Sequence, residues 1–74
     1  MYEAELKFKV ANPEIIKKSL EPDIKNDETV QTTIETDKNF IHIIIKSKKL
    51  NYLKAIINSY ISLVAVLEEV ENIK

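Results

Sequence analysis

A chain of 74 residues with no Cys, no Gly and a formal net charge of −1 excludes a disulfide-stapled scaffold, the usual Cys/His zinc site and any glycine-built phosphate loop, the GXXG clamp of KH domains included. Eleven lysines against twelve acidic side chains, with no Arg, leave no bulk charge for holding nucleic acid. One domain of this size buries only roughly 60% of its unfolded surface, so association with other chains is the expected source of extra stability.

Residues 2–10 alternate strictly. Tyr2, Ala4, Leu6, Phe8 and Val10 fall on one side, and Glu3, Glu5, Lys7 and Lys9 on the other, the pattern of a half-buried strand. Met1 leads directly into this strand, so no signal peptide is expected and a cytoplasmic setting follows. Asn12-Pro13-Glu14 has the residue types of a helix start: a capping Asn, Pro at the first helical position and an acid favoured by the helix dipole. The helix is predicted over 13–20, with Ile15, Ile16 and Leu20 as its thin apolar edge and Pro22 as its stop. Residues 21–28 are polar and mostly acidic, which reads as a connecting surface loop.

The second strand is predicted over 29–36, with Val30, Thr32 and Ile34 on its inner face. Asp37-Lys38-Asn39 is a hairpin-length turn, and a third strand covers 40–46. This strand departs from simple alternation. Ile41, Ile43 and Ile45 occupy one face, but Phe40, His42 and Ile44 make the other face apolar as well. With helices on the first face only, Phe40, His42 and Ile44 become candidates for contact with a neighbouring chain.

Residues 48–74 form one long helix by periodicity. Leu50, Leu53, Ile57, Tyr60, Val64 and Leu67 recur at steps of three and four, and neither Gly nor Pro interrupts them. A second stripe, about 100° away, contains Tyr52, Ile56, Ser59, Leu63, Val66, Val70 and Ile73, whereas one stripe suffices for an ordinary surface helix. The second stripe therefore asks for a partner. Asn51, Lys54, Asn58, Ser59 and Ser62 interrupt the apolar run and argue against a membrane span. The element order is β-α-β-β-α, an α+β fold with a three-stranded antiparallel sheet and two helices packed on one face. About 38 Å of helix on a strand of about 27 Å should overhang, carrying Val66, Leu67, Val70 and Ile73 past the sheet.

Material for catalysis is scarce. His42 is the sole histidine and lies within a strand, and Ser47, Ser59 and Ser62 have no second histidine for a relay. Glu68, Glu69 and Glu71 near the helix end read as a solvated terminus or as a docking patch for a basic surface. Lys46, Lys48 and Lys49 gather where the third strand meets the long helix, with Ser47 as its expected N-cap; they are either a solvated cluster or the best RNA-contact candidates. No cofactor is implied.

Two segments, Ser19-Leu20-Glu21-Pro22-Asp23 and Leu53-Lys54-Ala55-Ile56-Ile57-Asn58-Ser59-Tyr60-Ile61, resemble the small dimerisation subunit of the KEOPS complex, the CTAG/LAGE-like family. Asn58-Ser59-Tyr60 is the most specific part, and the resemblance covers nearly the whole chain in element order. It implies a non-catalytic partner in the complex that installs threonylcarbamoyladenosine in tRNA. It also implies pairing with a second copy or a paralogue, docking of helices on the threonylcarbamoyl-transferase subunit, and help in binding tRNA. Lys54 stands where the family usually has Arg, which weakens the case for bidentate recognition of phosphate or carboxylate at that point. The partner-binding residues expected on this basis are Ile56, Asn58, Ser59, Tyr60, Leu63, Val66 and Val70, with Asn58 fixing register through a hydrogen bond. The alternative is a freestanding small RNA-binding or protein-interaction domain.

Overall fold

The computed structural model describes residues 1–24 and 26–72, and the side chains of these apart from Asp23 and residues 70–72. Isoleucine on alternate positions of the third strand, β3 (Phe40–Ser47), places that strand in the middle of the sheet. Strand β1 (Tyr2–Lys9) lies on one side of it and β2 (Val30–Thr36) on the other, both antiparallel, giving the order β1-β3-β2. Register then follows from the alternation. Ile41, Ile43 and Ile45 stand opposite Phe8, Leu6 and Ala4 of β1 and opposite Thr36, Ile34 and Thr32 of β2. The three isoleucines are fully buried, because both helices lie on their face. The expected α+β architecture in β-α-β-β-α order is the one observed.

Helix α1 (Pro13–Leu20) covers β2 and the adjoining part of β3. It buries Pro13, Ile16 and Leu20, whereas Ile15 is exposed, so the apolar edge is thinner than the sequence suggests. Asn12 occupies the cap position but makes no side-chain cap bond; the chain enters the helix through its carbonyl, which accepts the Ile16 N–H at 3.2 Å. Pro22 ends the α-helix without opening a loop at once. A 3₁₀ turn, Glu21–Asp23, continues from Leu20, with the Ile24 N–H donating to the Glu21 carbonyl at 3.1 Å. Proline tolerates this because its fixed φ suits a helical first turn, where the missing N–H has no partner to lose.

Helix α2 (Leu50–Asn72) lies across β1 and β3. Leu53, Tyr60 and Val64 are buried and Ile57 and Leu67 half-buried, which makes the first predicted stripe the inner one from Leu53 onward, whereas Leu50, its first member, is exposed because it opens the helix at the edge of the sheet. Ser47 is not its N-cap. It ends β3 on the buried face, in line with Ile43 and Ile45, and its hydroxyl turns the chain by accepting the Lys49 N–H at 3.1 Å and donating to the Lys49 carbonyl at 2.9 Å.

The far end of α2 is partly tethered. Glu68 is half-buried and its carboxylate accepts the Ala11 N–H at 3.2 Å, which corrects the view of it as a plain solvated terminus or free docking acid. Of the residues expected to overhang, Val66 is exposed but Leu67 packs against the core, while Ile73 and the Val70 side chain lie outside the described residues. Helix α2 is also more apolar than its polar interruptions suggest. The stretch Leu50–Glu69, of mean hydropathy 1.4, is long and apolar enough to cross a membrane, though only 17% of it is buried. Its packing on the sheet through Leu53, Tyr60 and Val64 is the arrangement of a surface-lying domain helix.

Because Ile43 sits in the central strand with no exposure, Ile43→Ala should destabilise the fold by about 2–5 kcal/mol. Ile15→Ala, on the outer side of α1, should stay within about 0.5 kcal/mol of wild type. Urea unfolding followed by circular dichroism measures both, and equal losses would contradict the one-faced core.

Candidate partner-binding surface

The second stripe of α2 borders a groove. Ile56, Ser59, Tyr60 and Leu63 form one wall, and Asp27, Val30 and Thr32 form the other, around a volume of about 410 Å³. The groove exists because α1 covers only part of β2, leaving the start of that strand beside α2 without a helix above it. Its walls are apolar in the main, with Ser59 and Asp27 as polar points, the composition that receives an apolar side chain and orients it.

Asp27 is fixed by its own loop. Its carboxylate accepts the N–H groups of Thr29 at 2.7 Å and Val30 at 2.9 Å, and these backbone donors hold its pKa below the ordinary aspartate value, slightly offset by desolvation. The neighbouring Asn26 accepts the Thr32 N–H at 2.6 Å, and the Asp27 N–H donates to the Val30 carbonyl at 2.9 Å. The segment read from sequence as a solvated acidic loop thus builds one wall of the groove. Asp27 binding the backbone two and three positions on is a local habit of aspartate, whereas the Asn26 bond to Thr32 spans six positions and has no local signal.

The predicted partner residues separate on the structure. Ile56, Ser59, Tyr60 and Leu63 come together at the groove, and Tyr60 does so from within the core, being only 5% exposed. Leu63 and Val66, 36% and 56% exposed, are uncovered apolar surface on this side, and Leu50, Tyr52 and Ile61 are exposed elsewhere on α2. Asn58 is exposed and does not line the groove.

The other candidates lie elsewhere. Phe40, His42 and Ile44 share the face of the sheet away from the helices, as expected, but they are half-buried rather than bare. Side chains of β1 reach over them: the Lys7 amine lies 4.5 Å from the centre of the Phe40 ring, and a Glu5 carboxylate oxygen is 3.6 Å from His42 Nδ1. Lys46 is on this same face, with Glu3 and Gln31 as its cross-strand neighbours. Lys48 and Lys49 stand at the strand-to-helix turn, and the Lys49 amine is 5.1 Å from the Tyr52 ring centre. All three lysines are exposed.

The small α+β domain thus combines an uncovered helix flank with an apolar groove beside it, and among the described residues no group of three or more His, Cys, Asp and Glu is placed to hold a metal ion. Residues 2–72 match the family described as transcription factor Pcc1, and the chain belongs to that family, the family of KEOPS subunits. No curated protein and no solved structure matches it.

The Asp27 loop carries a pH signature. A carboxylate whose folded-state pKa is depressed stabilises the fold fully above its unfolded value, and that contribution disappears as pH falls through the depressed value. Asp27→Asn should therefore be less stable than wild type at neutral pH, and the gap should close in acid. Thermal unfolding across a pH series reads this, and a gap independent of pH would refute it.

Proposed function

We propose that the protein is the non-catalytic dimerisation and scaffold subunit of a cytoplasmic KEOPS complex. It docks the threonylcarbamoyl-transferase subunit through α2 and supports tRNA binding for threonylcarbamoyladenosine formation. Membership of the Pcc1 family supplies the complex. The observation that carries the docking is the exposed flank of α2 at Leu63 and Val66 beside the groove. A helix of the transferase laid along this flank would place its own apolar stripe against Leu63 and Val66, with one side chain in the groove between Ile56 and Val30, a helix-in-groove mode of recognition. Asn58, exposed one step around the helix, then serves as a polar register point at the rim of such an interface.

Leu63→Asp and Val66→Asp each insert a charge into that interface while leaving Leu53, Tyr60 and Val64 to hold the helix on the sheet. Each should weaken capture of the transferase subunit by about 100-fold, the scale of a deleted hot spot, with the melting temperature nearly unchanged. Undiminished capture on a biosensor surface would rule out this flank.

The reading as an RNA-binding domain has one observation in its favour, the three exposed lysines at the end of β3. Replacing Lys48 and Lys49 by Gln should weaken tRNA binding and make its salt dependence shallower. The slope of log affinity against log salt concentration falls by about 0.7–0.9 for each phosphate that is no longer neutralised. In the scaffold reading the variant still captures the transferase; tRNA binding unaltered in affinity and salt slope would remove these lysines from the interface.

A further inference from the structure

We propose that the groove beside α2 receives a lysine side chain of the docked transferase helix, with its ammonium held between Asp27 and Ser59. This rests on the docking in the functional reading above, and it names the side chain that enters and the pair of residues that selects it.

Among the described residues that line the groove, Asp27 carries the only charge. Val30, Ile56, Tyr60 and Leu63 surround it with apolar surface, and Thr32 and Ser59 add hydroxyls. In the free chain Asp27 is exposed to water, and a helix laid along Leu63 and Val66 removes that water. A carboxylate stripped of water and left without a partner is costly, and such a group ordinarily escapes by taking up a proton. Here the escape is opposed. The N–H groups of Thr29 and Val30 both donate to Asp27 Oδ1, and bonds of that kind favour the ionised form. Swinging the side chain out to solvent would forfeit both bonds at the start of β2. The occupant that covers this groove must therefore bring a positive charge of its own.

The same two bonds discriminate between cations. Arginine holds a carboxylate best through its planar fork, one N–H to each oxygen, but Oδ1 already accepts two backbone donors and Oδ2 neither of them. One point of attachment is left. A lysine ammonium is a compact charge with three donors, suited to a single carboxylate oxygen together with a nearby hydroxyl. Ser59 supplies that hydroxyl. It stands between Ile56 and Leu63 on the groove flank of α2, at the spacing of one helix face. Its small size leaves open a space that either neighbour's side chain would fill. The lysine's four-carbon stem then lies on Ile56, Leu63 and Val30, and its amine reaches the polar end. Ser59 of the Asn58-Ser59-Tyr60 run thereby acquires a use distinct from the wet side of a helix, above a floor made by the buried Tyr60.

Capture of the transferase subunit, with association and dissociation rates read separately, tests this. Asp27→Asn keeps an oxygen for the two backbone N–H groups and removes the charge. It should weaken capture at least ~30-fold, through faster dissociation, because the pair is covered by the interface rather than placed at its rim. Ser59→Ala removes one acceptor and should weaken capture by about 3- to 10-fold. Ser59→Leu fills the groove, leaves the Asp27 loop intact and should weaken capture at least ~10-fold, which serves if Asp27→Asn does not fold. Changing each lysine of the transferase to Met in turn should find one whose loss has no further effect in the Asp27→Asn background. Wild-type capture by Asp27→Asn or by Ser59→Leu, a loss carried by slower association alone, or coupling of Asp27 to an arginine overturns the proposal and leaves the docking at Leu63 and Val66 standing. If the wild-type chain captures no transferase, the docking fails, and a titration without partner decides the site. In that titration n-butylammonium at millimolar concentration should move the amide resonances of Thr29, Val30 and Ser59, and Asp27→Asn should abolish the shifts. Equal shifts with n-butanol, or stronger ones with n-butylguanidinium, overturn the lysine site.

Discussion

The burial of Ile41, Ile43 and Ile45 along the middle of the sheet governs the placement of every other element. A strand with isoleucine at three successive inward positions can be dried only if neighbours flank it on both sides and helices cover it from above, and the chain meets this with β1, β2, α1 and α2. Sheet order follows from the same need: the most apolar strand takes the centre, and the strands that alternate with charge take the edges. Even the turn into α2 depends on it, since Ser47 is the next inward position after Ile45. It fills that position with a small side chain whose hydroxyl then shapes the backbone of Lys49.

Local patterning made much of this legible. Period-two alternation located the strands to within a residue, and Asn12-Pro13-Glu14 located the start of α1 because proline fixes its own backbone angle. The inner stripe of α2 was legible for a similar reason, as three- and four-residue spacing is a property of one helix alone. What eluded the sequence was whatever depends on distant partners. Glu68 meets a backbone N–H 57 positions away, and nothing near Glu68 in the chain announces it. Phe40 and Ile44 read as bare because the reach of Lys7 and Glu5 across a strand boundary depends on pairing register. Of the candidate site, the helix wall at Ile56, Ser59 and Leu63 was visible, but the opposite wall was not. That wall needs the 26–30 loop to fold back on β2, and its acidic composition is that of any solvated connector.

Helix α2 therefore has three distinct sides. One is spent on the sheet, one borders the groove with Ile56 and Leu63, and one carries the exposed Ile61. A single amphipathic stripe would leave a small domain self-sufficient. Here the excess is divided by the sheet beneath it, so that Leu63 and Val66 are exposed on one flank and Ile61 on another.

The Asn26–Asp27 cover of the β2 edge has one more consequence. A three-stranded sheet open at both edges can add strands without limit, and end-to-end stacking of that kind leads to fibres. With Thr32 and Val30 already bonded to their own loop, growth on that side is blocked over the first half of the strand. A few hydrogen bonds from one short loop thus guard that stretch of edge against strand addition.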